Sequence, residues 1–331
     1  MTESHLGRGE GEAGEAGYAI QIDGMVKRYG RTLGVNNLSM NVPRGSIYGL
    51  VGPNGAGMTT TIRTLATLQR PDTGTIMLDG IDLITDPGAV RDRVGYIPDA
   101  FGVYDGLTVA EYLDFYGASQ GVPARRRRTL CDELLELVDL EDKHTEPVTA
   151  LSRGMKQRLG LARCLIHDPT VLLLDEPASG MDPRARIELR DILGELSRMN
   201  KTTLVSSHIL PELAAMCTDI GIIRAGEIIA EGPVDDVVAA LSPAARVRVT
   251  LLRPEQIQLA ERALASDPRC HRIERDDEQT LVAGFAGGDE ELAALLAGLL
   301  GHGLQVTQFT LEPGTLEDVF LTVTELAEAT T

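Results

Sequence analysis

No stretch of this chain approaches the roughly 18 uninterrupted apolar residues that a membrane-spanning helix needs. The nearest, Leu292 to Leu300, is too short, so any membrane pathway the protein serves has to be supplied by another chain. Cysteine is sparse. The four residues, at 131, 164, 217 and 270, are scattered without paired metal-ligand spacing, which implies a reduced compartment. Positive charge is also short, with 31 Lys and Arg against 49 Asp and Glu for a net charge of −18. That balance argues against a nucleic-acid-binding surface, and the single basic run, Arg125 to Arg128, reads as a solvated helix face. The first 17 residues are rich in Gly and Glu and lack an apolar h-region. They read as a disordered tail, not as a signal peptide.

What is present starts with Gly52-Pro53-Asn54-Gly55-Ala56-Gly57-Met58-Thr59-Thr60. This is a phosphate-cradling glycine loop in every position but one: Met58 stands where a lysine would grip the β- and γ-phosphates. The short apolar run Ser46 to Val51 ends at the loop, and Thr60 to Leu68 follows with Ile62, Leu65, Ala66 and Leu68 at helical spacing. Strand, loop and helix in that order aim backbone N–H groups and the positive end of a helix at an anion. Thr59 would offer its hydroxyl to Mg²⁺.

Val171 to Leu174 is apolar without alternation, which predicts a strand buried on both faces of a parallel sheet. Asp175 and Glu176 emerge at its carboxyl end, where ligands of open α/β sheets bind. An aspartate there can hold Mg²⁺, and the adjacent glutamate can orient or deprotonate an attacking water. Leu151-Ser152-Arg153-Gly154-Met155-Lys156-Gln157-Arg158 opens an apolar-periodic stretch, predicting a serine-capped helix with Lys156 and Arg158 adding positive charge in its first turn. Ser179-Gly180-Met181-Asp182-Pro183 follows, and then a strand, Thr202 to Ser206, delivers Ser207-His208. A parallel sheet would bring His208 to the same edge as the carboxylates.

In this order the motifs resemble the nucleotide-binding subunit of an ATP-binding cassette (ABC) transporter, over roughly residues 18 to 235. The resemblance implies an α/β fold: a phosphate-loop nucleotide-binding domain with an antiparallel edge sheet, a helical arm at about 100–165, and a small C-terminal α+β accessory domain over 236–331. It implies ATP and Mg²⁺ as cofactors. By position, Tyr29 becomes the aromatic that stacks on adenine, and Gly52 through Thr60 the phosphate loop. Asp99 occupies the glutamine-loop position, and Ser152 and Gly154 are signature residues. Asp175 is the magnesium aspartate, joined as metal ligands by Thr59 and Asp99. Glu176 is the catalytic glutamate, Asp182 the D-loop acid and His208 the switch histidine. The implied partners are a second ATP-binding subunit, paired head to tail so that each site is shared, and a separate transmembrane permease on whose cytoplasmic side the subunit sits. The segment Leu316-Glu317-Asp318-Val319-Phe320 resembles the tail of ATPase subunits of drug and lipid exporters, with Gly314 interrupting the usual approach.

Three positions depart from the family pattern: Met58, Asp99 in place of glutamine, and Met155 in place of the signature glutamine. Met58 has the largest consequence. A hydrogen bond to a charged group contributes about 1.5 to 3 kcal/mol, so nucleotide affinity should fall by roughly ten- to hundredfold. Loss of a preorganised cation from a developing phosphoryl charge costs on the order of 10² to 10³ in rate. The expectation is weak Mg-ATP binding and hydrolysis that is strongly impaired. A rival expectation is a nucleotide-sensing subunit that does not hydrolyse and relies on a lysine-bearing partner.

Outside these motifs, strands are expected at Ile20 to Val26 and Gly34 to Val42, with turns at Asn36-Asn37 or Pro43-Arg44-Gly45. Residues 107–150 should be helical, with Tyr112, Leu113, Phe115 and Tyr116 on one stripe and the aromatics mostly in the core. Past Gly232-Pro233, strands are expected at 246–252, 279–285 and 306–311, and helices at 254–265 and 290–300.

Overall fold

The computed structural model describes residues 17–99, 102, 106–241 and 245–312. The Leu316–Phe320 motif and nearly all of the N-terminal tail lie outside these residues. The chain divides after Val234 into two compact units.

The first unit contains two sheets. In the smaller, β1 (Tyr18–Tyr29) and β2 (Thr32–Pro43) make an antiparallel hairpin, extended by β4 (Thr73–Leu78) and β5 (Ile81–Asp82) in the order β2-β1-β4-β5. Its turn is at Gly30, in the left-handed region. Of the two turns expected, the one at Pro43-Arg44-Gly45 is present, at Arg44-Gly45 directly after β2, and the one at Asn36-Asn37 is not a turn. Both residues lie inside β2, and the left-handed Asn37 sits at a register shift between the Met25↔Leu38 and Lys27↔Val35 pairs. A bulge uses the same residue chemistry as a turn, which is why the sequence cannot separate them.

The larger sheet has the order β10-β9-β3-β8-β7-β6. Its members are β3 (Ile47–Val51), β6 (Val94–Ile97), β7 (Val171–Leu174), β8 (Thr202–Ser207), β9 (Asp219–Arg224) and β10 (Glu227–Pro233). Five run parallel, and β10 returns antiparallel on β9. All four residues of β7 are fully buried, as an apolar run without alternation predicts. Helix α1 (Met58–Leu65) leaves β3, while α2 (Pro87–Arg91) precedes β6. Ile62 and Leu65 of α1 share one apolar cluster with Leu50, Leu173 and Leu204 of the parallel sheet and with Ile20, Leu38 and Ile76 of the antiparallel one. The two sheets are therefore held together through α1. Leu173→Ala, which empties the centre of that cluster, should lower the free energy of urea unfolding by about 2–5 kcal/mol.

The helical arm holds α3 (Val109–Ser119) and α4 (Ala124–Leu137), then α5 (Arg153–Leu165), with short 3₁₀ turns between the last two. Thr108 and Glu111 close a capping box at the start of α3. Tyr112 and Leu113 are buried as expected, but Phe115 is 49% exposed. It lies three positions from Tyr112 yet on the outer flank of a single-turn stripe. Arg125, Arg126 and Arg128 are exposed, as a solvated face requires. Helices α6 (Pro183–Arg198) and α7 (Leu210–Ala214) complete the unit.

The second unit begins within α8 (Val234–Leu241). It runs β11 (Arg246–Leu251), α9 (Ile257–Ser266), β12 (Cys270–Arg275), β13 (Thr280–Phe285), α10 (Asp289–Gly301) and β14 (Val306–Glu312), with strand order β12-β13-β11-β14. This is the split βαβ arrangement of ferredoxin-like domains. Val247, Val249, Leu281 and Phe285 share a core with Ile257, Leu264, Leu295 and Leu299 of the two helices. Strand β12 escaped the sequence reading because its two core-packed residues, Cys270 and Ile273, are three apart, across a register shift where Arg272 is left-handed, so no period of two shows. The helix expected from Pro254 starts three residues later, after a 3₁₀ turn over Pro254–Gln256.

Candidate functional site

The glycine loop leaves β3 and enters α1, so it sits at the carboxyl edge of the parallel sheet. Gly57 has φ 112° and a Cβ there would lie 2.6 Å from the Gly34 carbonyl oxygen, so the left-handed turn into α1 requires glycine. No side chain caps α1, and its first turn holds no acidic residue. Its leading N–H groups are thus presented outward with the positive end of the helix behind them. Gly52 plays a different part. A Cβ at Gly52 would lie 2.3 Å from the Ile223 carbonyl oxygen, so this glycine lets β3 pass close to β9.

Tyr29, Gly34, the loop from Asn54 to Thr60, Asp99, Glu176, Ser179 and His208 line one cavity of about 400 Å³. Gly52 and Pro53 are not among its lining residues. The cavity collects the ends of β3, β6, β7 and β8, together with the β1 hairpin that carries Tyr29. The Tyr29 ring is 49% exposed, and its hydroxyl donates to Gln69 Oε1 at 2.6 Å.

Beneath the cavity floor, Thr59 Oγ1 donates to Asp175 Oδ1 at 3.2 Å and Ser206 Oγ donates to the same oxygen at 2.9 Å. Burial pushes the Asp175 carboxyl above its ordinary range, while the Ser206 and Thr59 hydroxyls pull it back. The Glu176 backbone is left-handed, φ 51°, and its N–H is held by Ser206 Oγ at 3.0 Å. His208 Nδ1 lies 3.0 Å from both Glu176 carboxylate oxygens. Glu176 is also raised by burial, opposed by its contact with His208. A hydroxyl and a carboxylate converging at the foot of an uncapped helix form a hard-oxygen donor set that fits Mg²⁺ beside phosphate.

Met58 is 7% exposed. It both lines the cavity and belongs to the core cluster of α1 and the two sheets, so its unbranched stem fills the space at the loop's end without opening it. Among the described lining residues there is no lysine or arginine, and two carboxylates face the cavity. The two carboxylates give the described lining of the cavity an acidic character.

Ser152, Gly154 and Asp182 are not brought to this cavity. Ser152 caps α5 by accepting the Met155 N–H, and Asp182 caps α6 by accepting the Ala185 N–H. The two helix starts touch each other: a Cβ on Gly154 would lie 2.9 Å from that of Ala185, and one on Gly180 would meet the Arg153 guanidinium at 2.8 Å. Arg158, expected to add positive charge toward an anion, is turned inward. Its Nη1 donates to the Val138 and Asp139 carbonyls at 3.0 Å, and its Nη2 lies 3.4 Å from Glu188, which ties α5 to α4 and α6. A buried guanidinium needs oxygen partners, and the chain supplies four, the two carbonyls, Glu188 and the Asp139 carboxylate at 3.0 Å, although Nε has none. The residue that sequence reasoning passed over is Ser206. Its signal was its place near the end of β8, two residues before His208.

The ABC transporter family model matches residues 35–179, stopping short of β8. The chain is 36% identical over 306 residues to the daunorubicin resistance ATP-binding protein DrrA3 of Streptomyces coeruleorubidus, covering 92% of this chain and 96% of that one. It is 37% identical over 314 residues to the Nod factor export ATP-binding protein I of Ralstonia nicotianae, covering 92% and 93%. Among solved structures, an ATP-binding subunit of an ABC transporter superposes with TM-score 0.60 at 27% identity, over 67% of this chain and 92% of that one. The cbiO1 protein of Clostridium perfringens has the same fold, with TM-score 0.63 at 22% identity over 76% and 97%. The chain belongs to the ABC transporter family, as one of its ATP-binding subunits.

Proposed function

We propose that this protein binds Mg-ATP and couples it to a separate membrane permease in an exporter of a small hydrophobic compound, lipid or polysaccharide. The observation that carries the nucleotide reading is the convergence of three features on one cavity: the uncapped α1, the Thr59–Asp175 pair and the Glu176–His208 pair. The export reading draws on the relatives named for drug resistance and Nod factor export. No helix among the described residues is long and apolar enough to cross a membrane, so in this reading the permease is another chain and the subunit sits on its cytoplasmic face.

In this reading Tyr29 stacks on adenine, and the loop N–H groups from Asn54 to Thr60 hold the phosphates. Thr59, Asp175 and Asp99 would hold Mg²⁺, which supplies the charge neutralisation that phosphoryl transfer needs. Glu176 accepts the proton of the attacking water, and His208 fixes its carboxylate. Ser152, Gly154 and Asp182 face a second subunit, whose own copies complete this cavity head to tail. Met58 leaves the transferring phosphoryl group without its lysine, so turnover is low.

A second reading, a nucleotide-sensing subunit that depends on a lysine-bearing partner, is favoured by the lack of lysine or arginine among the described lining residues. The two separate on one preparation. Titration with a fluorescent ATP analogue, with and without Mg²⁺, tests binding. Turnover with the permease tests coupling, and a tight ATP-dependent dimer without turnover selects the sensor.

Tyr29→Ala should weaken the nucleotide by about 1–3 kcal/mol, roughly five- to hundredfold, because base–aromatic stacking is lost. Tyr29→Phe, which keeps the ring, should bind within about twofold of the parent. Equal loss in both variants would move the adenine elsewhere.

A further inference from the structure

Ser206 is fully buried, at 0% exposure, next to the last residue of β8. Parallel pairing sets Leu174 of β7 opposite Val205 of β8, so Ser206 comes level with the point where β7 releases Asp175. One hydroxyl then meets two consecutive residues of the neighbouring strand. It donates to Asp175 Oδ1 at 2.9 Å and accepts the Glu176 N–H at 3.0 Å. A hydroxyl can do both at once because it carries one donor and free lone pairs. Each contact answers a local need. The Asp175 carboxylate is 2% exposed and requires donors to remain charged. The Glu176 backbone, at φ 51°, is in a region that a non-glycine residue leaves unless something holds it. Two residues on, His208, the first residue past the end of β8, contacts the Glu176 carboxylate. The end of β8 and the residue after it therefore fix the aspartate, the glutamate backbone and the glutamate carboxylate together, and Ser206 supplies the first two.

We infer that Ser206 is a positioning residue for metal-dependent nucleotide binding: it holds the Asp175 carboxylate beside Thr59 and ties that aspartate to the backbone of Glu176. This deepens the proposed function and rests on it. Ser206 sits below the cavity and is not among the residues that line it, so its effect has to pass through Asp175 and Glu176. Removing the hydroxyl leaves a buried acceptor short of a donor and a buried N–H without an acceptor, and both partners are then free to shift.

The test uses the full chain as wild type, Ser206→Ala and Ser206→Thr. A fluorescent ATP analogue is titrated first in EDTA and then against rising Mg²⁺, Mn²⁺ electron paramagnetic resonance reports the metal in the nucleotide complex, and thermal melts are taken without ligand. In EDTA all three proteins should bind the analogue within about twofold of one another, since the loop and Tyr29 are untouched. Ser206→Ala should need about tenfold or more Mg²⁺ for half-maximal binding, with a broadened Mn²⁺ spectrum, because a hydrogen bond to a charged group is lost. Ser206→Thr, which keeps the hydroxyl, should return to within about threefold of wild type. A merely structural serine would lower the melting temperature and leave the Mg²⁺ requirement in place, and that result overturns the inference. So does a threonine variant as impaired as the alanine one. If wild type itself gains nothing from Mg²⁺, the proposed function falls and takes this inference with it. Should Ser206→Ala not fold, Ser206→Cys replaces it, and the same outcomes decide.

Discussion

Lysine at position 58 should raise ATP turnover, measured with the permease, by on the order of 10² to 10³. The structure makes this a clean substitution. Met58 is 7% exposed, with its stem in the core cluster of α1 and its end at the cavity. A lysine stem has the same unbranched course, and its ammonium would emerge where the described lining residues offer only Asp99, Glu176 and His208 as ionisable groups besides tyrosine. The added charge would act on phosphate in a cavity where low dielectric strengthens it. Because binding gains only one charged hydrogen bond, nucleotide affinity should improve less than the rate, by roughly ten- to hundredfold. Melting without nucleotide should change little. Turnover of the parent within about threefold of Met58→Lys would show that the cation is dispensable here, or that a partner supplies it.

Glu176→Gln, introduced into the Met58→Lys form, should remove nearly all the gained hydrolysis, a loss on the order of 10² or more, while ATP stays bound. Glutamine is isosteric with glutamate and can still accept from His208, but it cannot take a proton from water. Two observations support the proposal of that role for Glu176. Both of its carboxylate oxygens lie 3.0 Å from His208 Nδ1, and burial raises its pKa toward the range where a general base is efficient. The raised pKa also gives a sign to the pH dependence. The base must be deprotonated, so activity of the Met58→Lys form should fall as pH drops through a value above the ordinary glutamate range. Glu176→Gln should show no such acid limb in its residual rate. Equilibrium binding of ATP, measured alongside, separates this from a collapsed site: if affinity falls with the rate, Glu176 is holding the loop together instead of acting on water.

Much of this architecture was legible in the amino-acid order. The unalternating Val171–Leu174 announced a strand buried on both faces, and all four residues are fully buried. The strand before the glycine loop and the helix after it follow from apolar spacing and from glycines that take φ values of 84° and 112°. Where the reading slipped, a local signal had two physical meanings. Asn36-Asn37 marks a bulge as readily as a turn. Arg158, the sixth residue of α5, could have faced an anion or a neighbouring carbonyl, and only packing of α4 and α6 against α5 decides for the carbonyl. Strand β12 shows no period of two, because the irregularity at Arg272 spaces its core-packed Cys270 and Ile273 three apart.

The sequence by itself determined which chemistry could be assembled: phosphate-cradling glycines, a hydroxyl next to them, two adjacent carboxylates, a strand-ending histidine and a methionine where a cation belongs. Those are properties of residue type and short spacing, and they survive without coordinates. Tertiary structure alone decided who meets whom. Strand β8 inserts between β3 and β7, so Thr59, Asp175, Glu176 and His208 reach one sheet edge from segments 116 and 32 residues apart. The same insertion puts Ser206 under both carboxylate residues, while Ser152, Gly154 and Asp182 are carried to another face. Hydrogen bonds form between neighbours in space, and strand order sets those neighbours.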